Sequence, residues 1–172
     1  MSNSKKYFRL PVVSTGAEYL VMGNLMRRNI LTYKAPEYNE GYDLICINPD
    51  PRYKRKRGQL SQIRVQVKSR YATDCDRGFP VKEHSIDAFD FLIIVFMNIG
   101  NYKGELDGSD GRAKPEYFTL SQQFIRDHHN KRSSWQKVLL RGLDKELKPY
   151  ADEDGFELIA KALGVKKPTR EQ

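Results

Sequence analysis

The sequence predicts an α/β or α+β chain in which a mixed central β-sheet is flanked by helices. Three observations lead there. Apolar residues recur at helical spacing in residues 16–29 and again in 152–163, residues 62–68 alternate with a period of two, and residues 91–96 form an apolar run of strand length.

Ser14 and Thr15 are N-cap residue types, and Ala17, Leu20, Val21, Leu25 and Met26 follow close to helical spacing. They predict an amphipathic helix over residues 16–29, with Glu18 in its first turn, where a carboxylate suits the helix dipole. Residues 32–34 lead into a turn-like stretch, 36–41. Residues 42–47 are rich in strand formers and bounded by Gly41 and Asn48-Pro49, which predicts a strand with Asp43 near its start. After a loop at 49–58, Ile63, Val65 and Val67 alternate with Arg64, Gln66 and Lys68, placing Gln66 and Lys68 on the same strand face. Residues 85–88 suit a short helical turn and 91–96 a buried strand. A loop at 104–111, a strand near 117–120, a helix capped by Ser121 and running to about His129, and a terminal helix over 152–163 ending at Gly164 complete the order.

With 172 residues the chain is expected to form one domain, 1–172. A hydrophobic share of 39% is enough for one core. Two cysteines, Cys46 and Cys75, are too few for a disulfide framework and read as reduced thiols. No apolar h-region follows the basic N-terminus, and the run 89–97 is interrupted by Asp90 and falls short of the ~20 residues that span a bilayer. A cytoplasmic protein with no membrane partner is expected.

The charge is more informative than the length. The formal net charge is +8, and residues 52–70 carry eight basic residues (Arg52, Lys54, Arg55, Lys56, Arg57, Arg64, Lys68, Arg70) and no acidic one. The rest of the chain has as many acidic as basic residues, so the whole excess belongs to one segment. That focus points to a local contact with a polyanion, and Arg52, Lys54, Arg55, Lys56, Arg57, Arg64 and Arg70 are the candidate nucleic-acid contacts, with Tyr53 as a stacking candidate. The loop 49–58 joins the Asp43 strand to the Lys68 strand and is expected at the edge of any site those residues form.

Four polar residues stand where a fold does not need them: Glu18, Asp43, Gln66 and Lys68. A carboxylate on an otherwise apolar strand costs free energy unless it is paired or holds a metal. Two carboxylates and an amide oxygen are hard ligands of the kind Mg²⁺ or Mn²⁺ accepts. The stretches Gly16-Ala17-Glu18, Gly41-Tyr42-Asp43-Leu44-Ile45 and Ile63-Arg64-Val65-Gln66-Val67-Lys68-Ser69 resemble the PD-(D/E)XK nuclease superfamily, the restriction-endonuclease-like fold, in its Gln-x-Lys version. The resemblance covers a core of about residues 15–97 and leaves a C-terminal part, 117–165, read as helical and of unassigned role. Tyr42 stands where that family has its proline, and Gln66 removes one negative charge from the site.

The resemblance implies a Mg²⁺- or Mn²⁺-dependent endonuclease that hydrolyses phosphodiester bonds in DNA. Asp43, Gln66 and the Val67 backbone carbonyl would be metal ligands, with Glu18 holding a second metal or a water of its shell. Lys68 would orient or deprotonate the attacking water. A homodimer is expected from the need to cut two strands. Two rivals remain: a nucleic-acid-binding module without catalysis, and an interaction protein in which Asp43 and Lys68 form a plain ion pair. His128 and His129 read as a polar helix face, the stretch 107–111 as a plain loop, and Trp135 and Tyr150 as packing residues.

Overall fold

A computed structural model describes residues 11–36, 39–71, 77–99, 101–102, 105–106, 113–131 and 135–166. Helix α1 spans Pro11–Met26 and is followed by β1 (Leu31–Lys34), β2 (Leu44–Ile47), β3 (Ile63–Arg70), β4 (Gly78–Pro80), a 3₁₀ turn (Glu83–Ala88) and β5 (Phe91–Phe96). The short strands β6 (Asn101–Tyr102) and β7 (Glu105–Leu106) pair with each other. Then come β8 (Glu116–Ser121), α2 (Gln122–Asp127), β9 (His129–Asn130), β10 (Lys137–Leu139), α3 (Asp144–Leu147), a second 3₁₀ turn (Lys148–Tyr150) and α4 (Asp152–Leu163).

Five strands form the central sheet in the order β1-β2-β3-β5-β8. It is mixed: β3 and β5 run parallel, and the other three pairings are antiparallel. The parallel step needs a crossover, supplied by β4 and the 3₁₀ turn, and β4 joins a separate sheet of order β4-β10-β9.

Each face of the central sheet carries its own apolar cluster. On one face Leu44, Cys46, Ile63, Val65, Ile93 and Val95 pack against Ala17, Val21 and Leu25 of α1 and Phe156, Ile159 and Leu163 of α4. On the other, Leu92, Ile94 and Phe96 pack against Phe79, Ile86, Phe124, Val138 and Leu147. This explains the unbroken apolar run of β5: its alternate residues enter different cores, and both faces are dry.

The expected order holds with several differences. Helix α1 is already formed at Pro11, so Ser14 and Thr15 lie within it and Glu18 is not in its first turn. Ser14 and Thr15, N-cap residue types one turn inside the helix, mimic a start that Pro11 in fact makes; Val12, Tyr19 and Met26 remain exposed. The part 117–165 is not simply helical, since it supplies β8 to the central sheet and β9 and β10 to the small one. Ser121 does cap α2, accepting from the Phe124 N–H at 3.3 Å, but the helix ends at Asp127 and His129 begins a strand. His129 Nε2 contacts the Val81 carbonyl at 2.7 Å, and His128 lies on the Phe124 ring. Tyr150 packs as expected, whereas Trp135 is 74% exposed. Cys46 is a free, buried thiol, and desolvation pushes its pKa to about 12. Cys75 and the stretch 107–111 lie outside the described residues. No helix among the described residues is long and apolar enough to cross a membrane.

At the start of the parallel pair, Asp90 accepts from the Arg64 backbone N–H at 2.7 Å and from its guanidinium at 3.1 and 3.2 Å, while the Asp90 N–H donates to the Arg64 carbonyl. This half-buried pair closes the mouth of the crossover. Asp90→Ala should lower the unfolding free energy by about 2–3 kcal/mol, because a guanidinium and a backbone donor lose their partner together. Urea denaturation with an unchanged m-value is the check.

Candidate active site

Strand β3 extends past the end of β2. In register, Leu44 opposes Val65, so the residues of β3 beyond Val65 have no strand partner on that side. Backbone N–H and C=O groups of one residue point to the same side of a strand. The Arg64 and Arg70 carbonyls accept bonds from the β5 side, so Val65 and Val67 present theirs toward β2. The Asp43 N–H donates to the Val65 carbonyl at 2.8 Å, and the Asp43 carboxylate accepts the Val67 N–H at 2.6 Å. Asp43 therefore sits just before β2 and caps the open flank of β3, where the Val67 carbonyl also faces.

A tight turn delivers Asp43 to this position. Gly41 has φ +102°, and a Cβ there would come within 2.3 Å of the Ala88 Cβ, so both conformation and space call for glycine. The Asn39 side-chain amide donates to the Tyr42 carbonyl at 2.8 Å and closes the turn.

Gln66 and Lys68 lie on the face shared with Leu92 and Ile94, their register partners on β5. Neither side chain makes a hydrogen bond or ion pair among the described residues, and both are half-buried. Burial holds the Lys68 pKa below the ordinary lysine value of 10.5; the Asp43 charge opposes that shift and Arg70 reinforces it. Lys68 thus places a half-buried ammonium within electrostatic reach of the Asp43 carboxylate.

Glu18 approaches from the opposite face. Lys34 opposes Leu44 in register and shares its face with α1, and its ammonium forms an ion pair with the Glu18 carboxylate. Lys34 also lies 5.5 Å from the centre of the Tyr19 ring. Asp43 remains close to this pair through the backbone, because the Ala35 N–H donates to the Asp43 carbonyl at 2.8 Å. Strand register therefore brings Asp43, Gln66 and Lys68 to one end of the β2–β3 hairpin, and Glu18 reaches Asp43 only indirectly, through Lys34 and the Ala35 backbone. Lys34 went unnoticed in the sequence because nothing local marks it; only the pairing of β1 with β2 brings it here. Among the described residues no group of three or more His, Cys, Asp or Glu side chains gathers as a metal-ligand set. The hard-oxygen donors at this end are the Asp43 carboxylate, the Gln66 amide and the Val67 carbonyl.

The remaining candidate contacts divide. Arg64 is bound to Asp90, and Arg70 donates to the Gly78 carbonyl at 2.7 Å with its guanidinium 4.9 Å from the Phe79 ring centre. Arg52 pairs with Asp50 at 3.4 Å. Lys54, Arg55, Lys56 and Arg57 are exposed and make no ion pair among the described residues. The expectation that their loop borders the cluster of Asp43, Gln66 and Lys68 is corrected by the strand directions. Asp43 precedes the first residue of β2 and Lys68 lies near the end of β3, so the hairpin loop joins the opposite ends of both strands. Ile63 is five residues from Lys68, which at ~3.3 Å per residue separates the loop from the cluster by at least ~15 Å.

With this geometry established, the chain can be set beside known proteins. It is similar in shape to Hjc, a Holliday junction resolvase from the archaeal hyperthermophile Archaeoglobus fulgidus. The match has 12% identity and a TM-score of 0.45, over 90% of this chain and 98% of that one. No family model and no curated protein matches the chain. At that score and identity the likeness decides neither family nor activity, and the functional reading rests on the residues themselves.

The lowered Lys68 pKa has a consequence for stability. A lysine whose folded pKa lies below its unfolded value costs stability while both states are charged, and the cost is relieved as pH rises from the folded pKa toward 10.5. Lys68→Met should therefore raise the urea midpoint at pH 7, and its advantage over wild type should shrink as pH climbs through that window.

Proposed function

We propose that the chain is a divalent-metal-dependent DNA endonuclease of the PD-(D/E)XK kind, with Asp43, Gln66 and Lys68 as catalytic residues and Glu18 in support. The observation that carries this reading is Lys68: a half-buried amine, unpaired among the described residues, within electrostatic reach of an aspartate that is itself fixed to a strand backbone. Packing gains nothing from such an amine, whereas phosphoryl chemistry uses it.

The donor set suits Mg²⁺ or Mn²⁺, which accept one or two carboxylates and complete their shells with water and phosphate oxygens. Bound there, the metal would polarise the scissile phosphate and acidify a water. The protein's own contributions follow from position. Asp43 is held by the Val67 N–H and presents its carboxylate without side-chain reorganisation. The depressed pKa of Lys68 raises its neutral fraction, so the amine can take a proton from the attacking water and, once charged, stabilise the phosphorane. Gln66 donates an uncharged oxygen, and Glu18 can add its charge once Lys34 is displaced. Cutting both strands of a duplex calls for two such sites, which a homodimer would supply.

The Lys34–Glu18 pair and the neutral Gln66 favour a second reading, a DNA-binding module of the same architecture that does not cut. Incubation with supercoiled plasmid and Mg²⁺ or Mn²⁺ separates the two. Under the nuclease reading the wild type nicks the plasmid, and Asp43→Ala and Lys68→Ala each slow nicking by ~10²–10³. Nicking unchanged in both variants overturns the site assignment, and salt-dependent gel shifts without nicking select the binding module. The nicking rate should also rise with pH, with a midpoint below the ordinary lysine range that is lost in Lys68→Arg.

A further inference from the structure

The four exposed cations of the β2–β3 loop sit on a loop that is pinned rather than free. Tyr53 Oη donates to Gln59 Oε1 at 2.6 Å, and the same oxygen accepts the Lys56 N–H at 2.8 Å. The Leu60 N–H donates to the Ala162 carbonyl at 2.9 Å, and the Asn48 side-chain amide donates to the Leu163 and Gly164 carbonyls at 3.2 Å. Tyr53 packs so closely on the end of α4 that a Cβ at Gly164 would lie 2.1 Å from its hydroxyl. Tyr53 is thus a tether of the loop and not a stacking platform. Lys161 and Lys166 at the end of α4 line the same groove as Lys56, together with the carboxylates of Asp50 and Glu157.

Arg64 and Arg70 are committed to partners within the protein, Arg52 is paired with Asp50, and Lys68 belongs to the cluster with Asp43. The excess charge read from the sequence is therefore displayed by Lys54, Arg55, Lys56 and Arg57 at the far end of the hairpin from Asp43.

We infer that this pinned loop is a second nucleic-acid contact, separate from the catalytic end: an anchor that takes the phosphate backbone of double-stranded DNA at least ~15 Å away, or about 5 base pairs at 3.4 Å each. The inference rests on the nucleic-acid reading of the protein and adds where, and over what length, the duplex is held. Holding the cations on a fixed frame lowers the ordering cost of binding, which a loose loop would incur with each contact. Because the contacts are to phosphates, they carry affinity and reach, not base sequence.

The test is fluorescence anisotropy with a labelled duplex of about 20 base pairs and a labelled hairpin duplex of about 5 base pairs closed by an uncharged glycol linker, titrated in EDTA across a range of KCl. Three proteins are compared: wild type, Lys54→Gln/Arg55→Gln/Lys56→Gln/Arg57→Gln, and a control that loses four exposed lysines elsewhere, Lys82→Gln/Lys114→Gln/Lys145→Gln/Lys148→Gln. The loop variant should bind the long duplex ~10–100-fold more weakly, with a salt slope shallower by about 2–4, since each lost phosphate contact removes about 0.9. It should also lose most of the wild-type preference for the long duplex, and the control should keep both slope and preference. Equal losses in the loop variant and the control would make the effect one of net charge and overturn the anchor. Wild-type binding with an unaltered loop variant would overturn it too and leave the nuclease reading standing. No binding by wild type to either duplex would overturn the nucleic-acid reading itself. Tighter capture of the wild-type loop by phosphatidylserine vesicles than by the duplex would assign it to an anionic membrane surface and overturn the anchor. A circular dichroism melt confirms that each variant is folded.

Discussion

A strand that runs past its neighbour leaves backbone donors with nowhere to bond, and in this protein the Asp43 carboxylate answers that need for β3. The bond from the Val67 N–H replaces the ladder contact that β2, which begins only at Leu44, cannot make. It costs the chain a charged side chain beside a core, but it satisfies a backbone group that would otherwise be unpaired. Everything else at this end follows. Gly41 must bring the chain in tightly past Ala88, Lys68 must accept a carboxylate as its electrostatic neighbour, and Gln66 must stand opposite the position Asp43 occupies.

The central sheet divides labour along its strands as well as across its faces. One end of the β2–β3 hairpin gathers Asp43, Gln66 and Lys68, and the other displays four cations on a loop bound to α4. Across the sheet, α1 and α4 seal one face while the 3₁₀ turn, α2, α3 and the small sheet seal the other. Helix α4 therefore has two duties, burying Phe156, Ile159 and Leu163 and offering the last carbonyls of its backbone to the loop. The C-terminal part of the chain, which had no assigned role, supplies this frame.

Strand β3 was legible because one face meets an apolar cluster and the other is half-exposed, which writes a period of two; β5 was legible as an apolar run because both its faces are buried. Helix α4 was legible from its single apolar face and from Gly164, whose φ of +65° ends it. Strands β1, β4, β9 and β10 were not, since two to four residues carry no period and their existence depends on distant partners. The residue types of the candidate site could be read from spacing alone. What could not be read was who holds them: Lys34 on Glu18, and Asp90 on Arg64 across 26 positions, are contacts made only by the fold. The basic loop is different: the expectation that it borders the site was wrong, although strand direction alone was enough to place it at the other end. An aspartate before one antiparallel strand and a lysine near the end of the next must share the end opposite their connection.

Trp135 is the chain's one tryptophan, and it lies at the surface near the small sheet, far more exposed than an aromatic of the core. Its emission in the native protein will resemble that of a hydrated indole, so unfolding of the central sheet will change its wavelength little. The ten tyrosines include Tyr117, buried against Phe156, and Tyr150, set edge-to-face with Phe124. The optical signature of the intact fold is thus carried by tyrosine asymmetry in the near ultraviolet, and the indole serves instead as a local probe for whatever settles on the surface around it.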